Sequence, residues 1–178
     1  MNKLFILFIL SSIFLPLHLS AQKIALKTNT LYWITGSPNL GIEIRLNPHF
    51  TLDLYAAANP FSFNTVKLQF AQISPELRYW FSRPMSRHFI GINTSFTEYN
   101  LKFNKNLYKG NAFAAGLIYG YSFVLSNRWN IEATLGIGCI NYKTFDYKEG
   151  TSKPSTPNKT GTIFAPIKGG VSFAYILY

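Results

Sequence analysis

The sequence predicts an all-β fold, in the form of an eight-stranded antiparallel up-and-down transmembrane β-barrel. Three observations predict it: apolar residues alternate with other residues along most of the chain, the links between the alternating segments are either short or long, and charged residues are scarce. Only 13% of the 178 residues are charged and 17% are aromatic, whereas ordinary soluble domains carry about 25% charged residues. Much of the predicted surface therefore faces an environment other than water.

The N-terminal segment is typical of a secretory signal peptide. Lys3 supplies a positive charge, an apolar run extends from Leu4 to Leu19, and the small residue Ala21 precedes the predicted cleavage point. A membrane helix is the alternative, but a proline breaks the run, which is shorter than the roughly 20 apolar residues that span a bilayer. We expect a signal peptide at residues 1–21 and a single β-barrel domain at residues 22–178, exported to the outer membrane.

Alternation with a period of two residues predicts the strands. In the clearest case Leu40, Ile42 and Ile44 share one face, while the residues between them are small or charged. The eight predicted segments are Ile24–Trp33, Asn39–Leu46, Phe50–Ala58, Lys67–Trp80, Phe89–Tyr99, Asn111–Leu125, Trp129–Tyr142 and Phe164–Tyr178.

The links between these segments differ in length and in composition. Residues 47–49, 82–88 and 126–128 form short links, whereas residues 100–110 and 143–163 form longer, polar ones. Outer-membrane barrels have short periplasmic turns and longer extracellular loops. We therefore expect both chain ends on the periplasmic side, and the two long loops as the contact surface outside the cell.

Aromatic residues follow the short links. Phe50, Phe89 and Trp129 are predicted to form a ring at the periplasmic interface of the membrane, where aromatic side chains concentrate. The alternative is that these residues form the core of a soluble β-sandwich.

The charged residues of the strands are predicted to point into the barrel, because their neighbours point to lipid. These structural lumen charges are Glu43, Arg45, Asp53, Glu76, Arg78 and Glu132. Four carboxylates and two guanidinium groups in a confined space predict a network of salt bridges, since buried charges are costly unless they are paired. An acid–base site formed by the carboxylates is the alternative, but matching arginines favour a structural role.

The last segment matches the assembly signal of many outer-membrane barrels. Lys168 supplies the polar residue, Gly170 follows two positions later, and Phe173 and Tyr175 supply the apolar pair on one face. The pattern predicts the barrel-assembly machinery as a partner.

Residues that carry catalysis or bind metals are sparse. Apart from His18 in the N-terminal segment, the histidines are His49 and His88, in or next to short links, and Cys139 is the only cysteine. Such a set forms no metal-ligand cluster, and the motifs of common hydrolases and phosphate-binding loops are absent from the sequence. We therefore expect no catalytic residue, no metal and no cofactor.

The chain is strongly basic, with a formal net charge of +10. The basic residues are scattered over turns and loops rather than along one helix or stripe, which argues against nucleic acid as a partner. A basic rim beside anionic lipid headgroups accounts for the excess more simply.

Four segments resemble a Bacteroidota family described as domain of unknown function 3575. They are residues 26–32, 38–43, 75–80 and 128–133. The resemblance covers most of the chain after residue 21 and implies an outer-membrane barrel from that phylum, without an assigned activity. Many family members carry a longer, tryptophan-rich stretch after the third strand, where this chain has only residues 59–63.

The sequence therefore predicts an outer-membrane β-barrel that contacts lipid and has a structural or interaction role through its extracellular loops, without catalysis. One alternative is a soluble periplasmic, lipocalin-like barrel that holds a small apolar ligand. A second is a lipid-modifying outer-membrane enzyme, which needs a histidine near the outer leaflet. The extracellular partner is not identified by any motif.

A charge placed in a predicted membrane strand, compared with one placed in a predicted loop, tests which residues face lipid. Tyr175→Asp puts a carboxylate on a predicted lipid-facing strand, whereas Tyr147→Asp puts it in a predicted solvated loop. We expect Tyr175→Asp to lower the folded fraction more, because charge in hydrocarbon is destabilising. The folded and unfolded bands of each variant on a gel measure this fraction, and equal assembly of the two would contradict the register.

Overall fold

The computed structural model describes residues 23–62 and 66–177. The predicted signal peptide, residues 1–21, lies outside the described residues. The elements are β1 (Ile24–Asn29), α1 (Thr30–Ile34), β2 (Asn39–Arg45), β3 (Phe50–Asn59), β4 (Val66–Trp80), β5 (Arg87–Phe103), β6 (Asn106–Val124), β7 (Trp129–Lys148) and β8 (Lys159–Ile176).

The eight strands form one ring-like sheet. Each strand pairs antiparallel with the next along the chain, and β1 also pairs with β8, where Leu26 lies opposite Tyr175. The predicted all-β, antiparallel, up-and-down arrangement of eight strands is therefore confirmed. Among the described residues, no helix is long and apolar enough to cross a membrane.

The two faces of the ring differ in polarity, as the period of two requires. On β3, Thr51, Asp53 and Tyr55 point inward and are buried, whereas Leu54 between them points outward and is exposed. The same alternation runs through β2, β4, β6 and β7. The interior is therefore largely polar and the outer face largely apolar, the reverse of a water-soluble domain.

Aromatic rings line the outer face near the short links. Trp129 packs on Tyr175 with ring centroids 4.9 Å apart, and Tyr79 packs on Phe81 at 5.5 Å. The row consists of Phe50, Tyr79, Phe81, Tyr119, Tyr121, Phe123, Trp129 and Tyr175. Two members of the predicted ring, Phe50 and Trp129, belong to it.

The prediction that Phe89 belongs to this outer ring is wrong. Phe89 is fully buried inside the sheet, where its ring lies 4.5 Å from that of Trp80. His88 takes the outward position instead and packs on Tyr121. Phe89 and Ile90 are both apolar neighbours, so alternation alone does not decide which of the two faces outward.

The interior is closed near the short links by apolar side chains. Trp80, Phe89 and Ile118 form a buried cluster, with Ile167 packed against it. Glycines make room for this cluster, because a Cβ atom at Gly120 would lie 2.3 Å from Cζ of Phe89. At the same end of the ring, the β4–β5 link folds inward beneath this cluster. There the carbonyl of buried Met85 accepts hydrogen bonds from Ser122 and Asn130.

The first predicted strand ends earlier than expected. β1 stops at Asn29, whose side chain accepts a hydrogen bond of 2.9 Å from the backbone N–H of Leu31 and caps the short helix α1. The predicted strand Ile24–Trp33 is therefore wrong beyond Asn29. The chain leaves α1 through Gly36, which has a positive φ of 68°.

The two predicted long loops are mostly strand. β5 continues to Phe103 and β6 starts at Asn106, so that only Asn104 and Lys105 connect them. β7 continues to Lys148 and β8 starts at Lys159. The prediction of a loop is thus wrong for residues 100–103, 106–110, 143–148 and 159–163, whereas residues 149–158 do connect two strands. Strand pairing uses backbone N–H and C=O groups, which polar residues supply as well as apolar ones.

Candidate functional site

Arg78 is the centre of a buried charge network inside the ring. Its guanidinium group contacts Asp53 at 2.5 Å, Glu76 at 2.7 Å, and Glu43 and Glu132 at 3.1 Å each. Asp53 lies opposite both Glu43 and Glu76 in the register, which places three carboxylates side by side on neighbouring strands. The fourth carboxylate reaches the same guanidinium group from β7.

Two lysines that were not among the predicted lumen charges complete the network. Lys27 Nζ contacts Glu132 at 2.8 Å and also contacts Glu43. Lys168 Nζ contacts Glu76 at 2.6 Å. Alternation could have predicted that Lys27 points inward, because it follows Leu26 in a predicted strand. Lys168 was instead assigned to the assembly signal.

The structure brings together five of the six predicted lumen charges. Glu43, Asp53, Glu76, Arg78 and Glu132 are each at most 1% exposed. Arg45 does not join them, and its prediction as a network member is wrong. It is the last residue of β2, is partly exposed, and donates from Nε to the carbonyl of Asn47 at 3.3 Å. Arg45 therefore lies at the rim of the ring, away from the network.

The residues of the predicted assembly signal lie on both faces of β8. Lys168 points inward to the network, whereas Phe173 is 41% exposed on the outer face, the face on which Tyr175 packs against Trp129. Gly170 has a φ of +140°, and a Cβ there would lie 2.6 Å from the Asn29 amide. Lys168 and Tyr175 thus have side-chain contacts within the fold, and recognition by the assembly machinery stays a prediction.

Further hydrogen bonds support the carboxylates. Thr51 donates to Glu43 and accepts from the Trp80 indole at 2.9 Å. Asn93 donates to Glu76 at 3.3 Å. Because desolvating each ion costs several kcal/mol, such a network persists only when its members are paired and hydrogen-bonded. The arrangement favours a structural role for these carboxylates over acid–base chemistry.

Two carboxylate oxygens of the network are exceptions to this pairing. In the part of the chain that the structure describes, Asp53 Oδ1 and Glu132 Oε1 are buried without a hydrogen-bond partner. The network also contains four carboxylates but only three cationic groups, those of Lys27, Arg78 and Lys168. Its formal charge is therefore −1.

A cavity of about 530 Å³ lies above the network, on the side away from the short links. Charged groups of Lys27, Asp53, Arg78 and Lys168 line its floor. Its walls carry aromatic and polar side chains, among them Tyr32, Tyr55, Phe70, Gln72 and Ser74. Since the apolar cluster closes the other end of the ring, the cavity has the form of a cup.

His49 and His88, the histidines among the described residues, do not line this cup. His49 Nδ1 is 3.1 Å from the carbonyl oxygen of Trp80 and His88 Nδ1 is 2.6 Å from the Tyr119 hydroxyl, both near the short links. Within residues 23–62 and 66–177, no group of three or more His, Cys, Asp or Glu side chains is arranged to hold a metal ion.

Comparison with protein families adds one finding. A family model described as "Protein of unknown function (DUF3575)" matches residues 5–177. No curated protein matches the chain.

Removing the central cation tests the role of the network. Arg78→Met leaves four carboxylates with only two lysines, so we expect a loss of about 3–5 kcal/mol in the free energy of unfolding. Arg45→Met is the matched control, and we expect a change within about 0.5 kcal/mol because Arg45 is a partly solvated rim residue. Urea unfolding of the purified protein measures both, and equal stability of the two variants would contradict the assigned role of Arg78.

Proposed function

Because the chain belongs to the DUF3575 family of proteins of unknown function, whose description assigns no activity, we propose a function from its structure. The protein is a transmembrane β-barrel of the outer membrane. It conducts no ions, has no catalytic role, and presents its extended strands outside the cell as a contact surface.

The apolar outer face carries this proposal. Leu117 is 66% exposed, and Ile92 and Leu135 are each 63% exposed. In water, each square ångström of such surface is unfavourable by about 25 cal/mol relative to burial, whereas in hydrocarbon it is solvated. A row of aromatic rings borders this face near the short links, as in membrane barrels. A soluble ligand-binding barrel needs a polar outer face, so this alternative is disfavoured.

The closed sheet supports the same environment. Backbone N–H and C=O groups in hydrocarbon must find partners within the protein, which a β-structure achieves by closing on itself. The pairing of β1 with β8 provides this closure over residues 25–29 and 172–176. The filled interior supports a role without conduction, because Trp80, Phe89 and the charge network occupy its cross-section.

The charges outside the network support a contact surface at the end of the ring away from the short links. Eight lysines lie on the strand ends and loops at this end of the ring: Lys67, Lys102, Lys105, Lys109, Lys143, Lys148, Lys153 and Lys159. Only three carboxylates accompany them, those of Glu98, Asp146 and Glu149. Two of these carboxylates are already paired, in Lys102–Glu149 at 2.6 Å and Lys159–Asp146 at 2.5 Å. This surplus of lysine charge suits an acidic partner.

The opposite end carries a different set of basic residues. The described basic residues there are Lys23, Arg45, Arg83, Arg87 and Arg128, without an acidic residue among them. They lie beside the aromatic row, and Arg128 donates to the Tyr175 hydroxyl at 3.3 Å. Arginines at this level suit the anionic headgroups of a membrane surface. The net positive charge is thus divided between the two ends.

Labelling of single cysteines tests both the orientation and the apolar band. Cys139 lies exposed on the outer face of β7, where we expect lipid to keep its thiol from reacting, because a charged reagent does not enter hydrocarbon. Ser152→Cys and Asn127→Cys, each combined with Cys139→Ser, place the thiol in the β7–β8 loop and in the β6–β7 turn.

With a membrane-impermeant maleimide on intact cells, we expect labelling of Ser152→Cys alone. Asn127→Cys should react only after the outer membrane is permeabilised. Reaction of Cys139 as fast as that of Ser152→Cys would contradict the lipid band, and labelling of Asn127→Cys in intact cells would contradict the orientation.

A further inference from the structure

An apolar groove of about 620 Å³ lies on the outer face of the sheet, where β2 to β5 run side by side. Small outward-facing residues form its floor: Ala56, Ala58 and Ala71. Larger exposed side chains form its walls: Trp33, Leu40, Ile73 and Phe96. The small and large residues alternate across the strands, since Ala56 lies between Leu40 and Ile73 in the register. We call this cavity the alanine groove.

A polar hollow of about 370 Å³ adjoins the alanine groove on the side away from the short links. Ala71 and Glu98 line both cavities and lie opposite each other on β4 and β5. Five polar side chains on the outer face line the hollow: Gln69, Glu98, Asn100, Lys109 and Asn111. The two cavities therefore form one continuous surface that is apolar at one end and polar at the other.

The change in polarity follows the rows of the sheet. One row of outward-facing residues across β4, β5 and β6 consists of Ile73, Phe96 and Phe113. The next row consists of Ala71, Glu98 and Asn111, and the row after it of Gln69, Asn100 and Lys109. Successive rows are two residues apart, which is about 7 Å along a strand. A ligand that spans both cavities therefore needs an apolar part directly joined to a polar part.

The polar hollow presents hydrogen-bond acceptors and donors side by side. Within residues 23–62 and 66–177, no ion pair involves Glu98 or Lys109, whereas the other two carboxylates at this end of the ring are paired. The Glu98 carboxylate only accepts hydrogen bonds, the Lys109 ammonium only donates them, and the amides of Asn100 and Asn111 do both. Hydroxyl groups also donate and accept, so a head group that carries several of them complements this set.

The same chemistry disfavours the head groups of common phospholipids. A phosphate group accepts hydrogen bonds but is repelled by Glu98, and a choline group has no N–H to donate to that carboxylate. The ammonium group of ethanolamine donates to Glu98 but accepts nothing from the amides on the neighbouring strand. A sugar ring carries hydroxyl groups in several directions, and Glu98, Asn100 and Asn111 lie on adjacent strands about 5 Å apart.

We propose that this face binds a glycolipid, with an acyl chain along the alanine groove and the sugar head group in the polar hollow. The proposal rests on the proposed membrane location, because a glycolipid reaches the outer face from the lipid beside it. It gives the protein a lipid partner of defined chemistry. The binding itself is measurable with the purified protein in detergent.

Native mass spectrometry with three lipids tests the proposal. Each lipid carries the same two oleoyl chains, and the head group is glucose, phosphoethanolamine or phosphocholine. The purified protein is titrated with each lipid in tetraethylene glycol octyl ether, and the fraction of protein that retains a lipid gives the dissociation constant. We expect the glucosyl lipid to bind roughly tenfold more tightly than the other two, as two additional hydrogen bonds imply.

Two variants with matched controls locate the site. Glu98→Ala removes the carboxylate, and we expect it to weaken the glucosyl lipid about tenfold while the phosphocholine lipid is unaffected. Asn141→Ala, an exposed outward-facing residue of β7 outside both cavities, is its control. Ala71→Trp places an indole where the cavities meet, and Ala133→Trp places one on the outer face of β7. Both alanines are exposed and point outward, so neither indole crowds the interior.

Tighter binding of the glucosyl lipid that is lost in Glu98→Ala and Ala71→Trp, and kept in both controls, supports the proposal. Equal binding of the three lipids, a preference for the phosphoethanolamine lipid, or equal affinity of each variant and its control overturns it. These results do not depend on the cellular location of the protein, and cell fractionation does not depend on Glu98. Failure of the glycolipid site and failure of the membrane proposal are therefore distinguishable.

Discussion

The contact between the Arg78 guanidinium and four carboxylates is the interaction on which the rest of the structure depends. The acids come from β2, β3, β4 and β7, so the contact joins strands that lie far apart along the chain. A shift of one residue in any of these strands would turn its carboxylate to the outer face and an apolar residue to the interior. The ion pairs of Arg78 therefore form only in this strand register, and they stabilise that register in turn.

The two faces of the sheet and the filling of the ring follow from this constraint. Charged residues occupy the inward positions of the strands, and exposed leucines and isoleucines occupy the alternate, outward positions. The network also divides the interior into two parts. Trp80, Phe89 and Ile118 fill the part near the short links, whereas the part above remains open as the cup, where one carboxylate oxygen lacks a donor. The interior is thus filled near the short links and open on the other side of the network.

Much of this fold could be predicted from residue alternation, because inward and outward positions differ in polarity. Glu43, Asp53, Glu76, Arg78 and Glu132 were all predicted to point inward, and the structure brings them together.

Alternation does not determine the remaining features. Where two apolar residues adjoin, as at Phe89 and Ile90, either can face outward. The helix α1 depends on a local cap by Asn29 and not on a pattern. Polar composition in residues 100–110 predicted a loop, but polar residues supply the same backbone hydrogen-bonding groups to a strand, and β5 and β6 continue through them. The cup arises from the early end of β1, which only the pairing in space reveals.

The most direct test of the central claim is to fractionate the producing cells and to run the native protein, heated and unheated, on a denaturing gel. We expect recovery in the outer membrane, with faster migration of the unheated band because the closed sheet resists detergent. Recovery in the soluble periplasm, with one mobility at both temperatures, would contradict it.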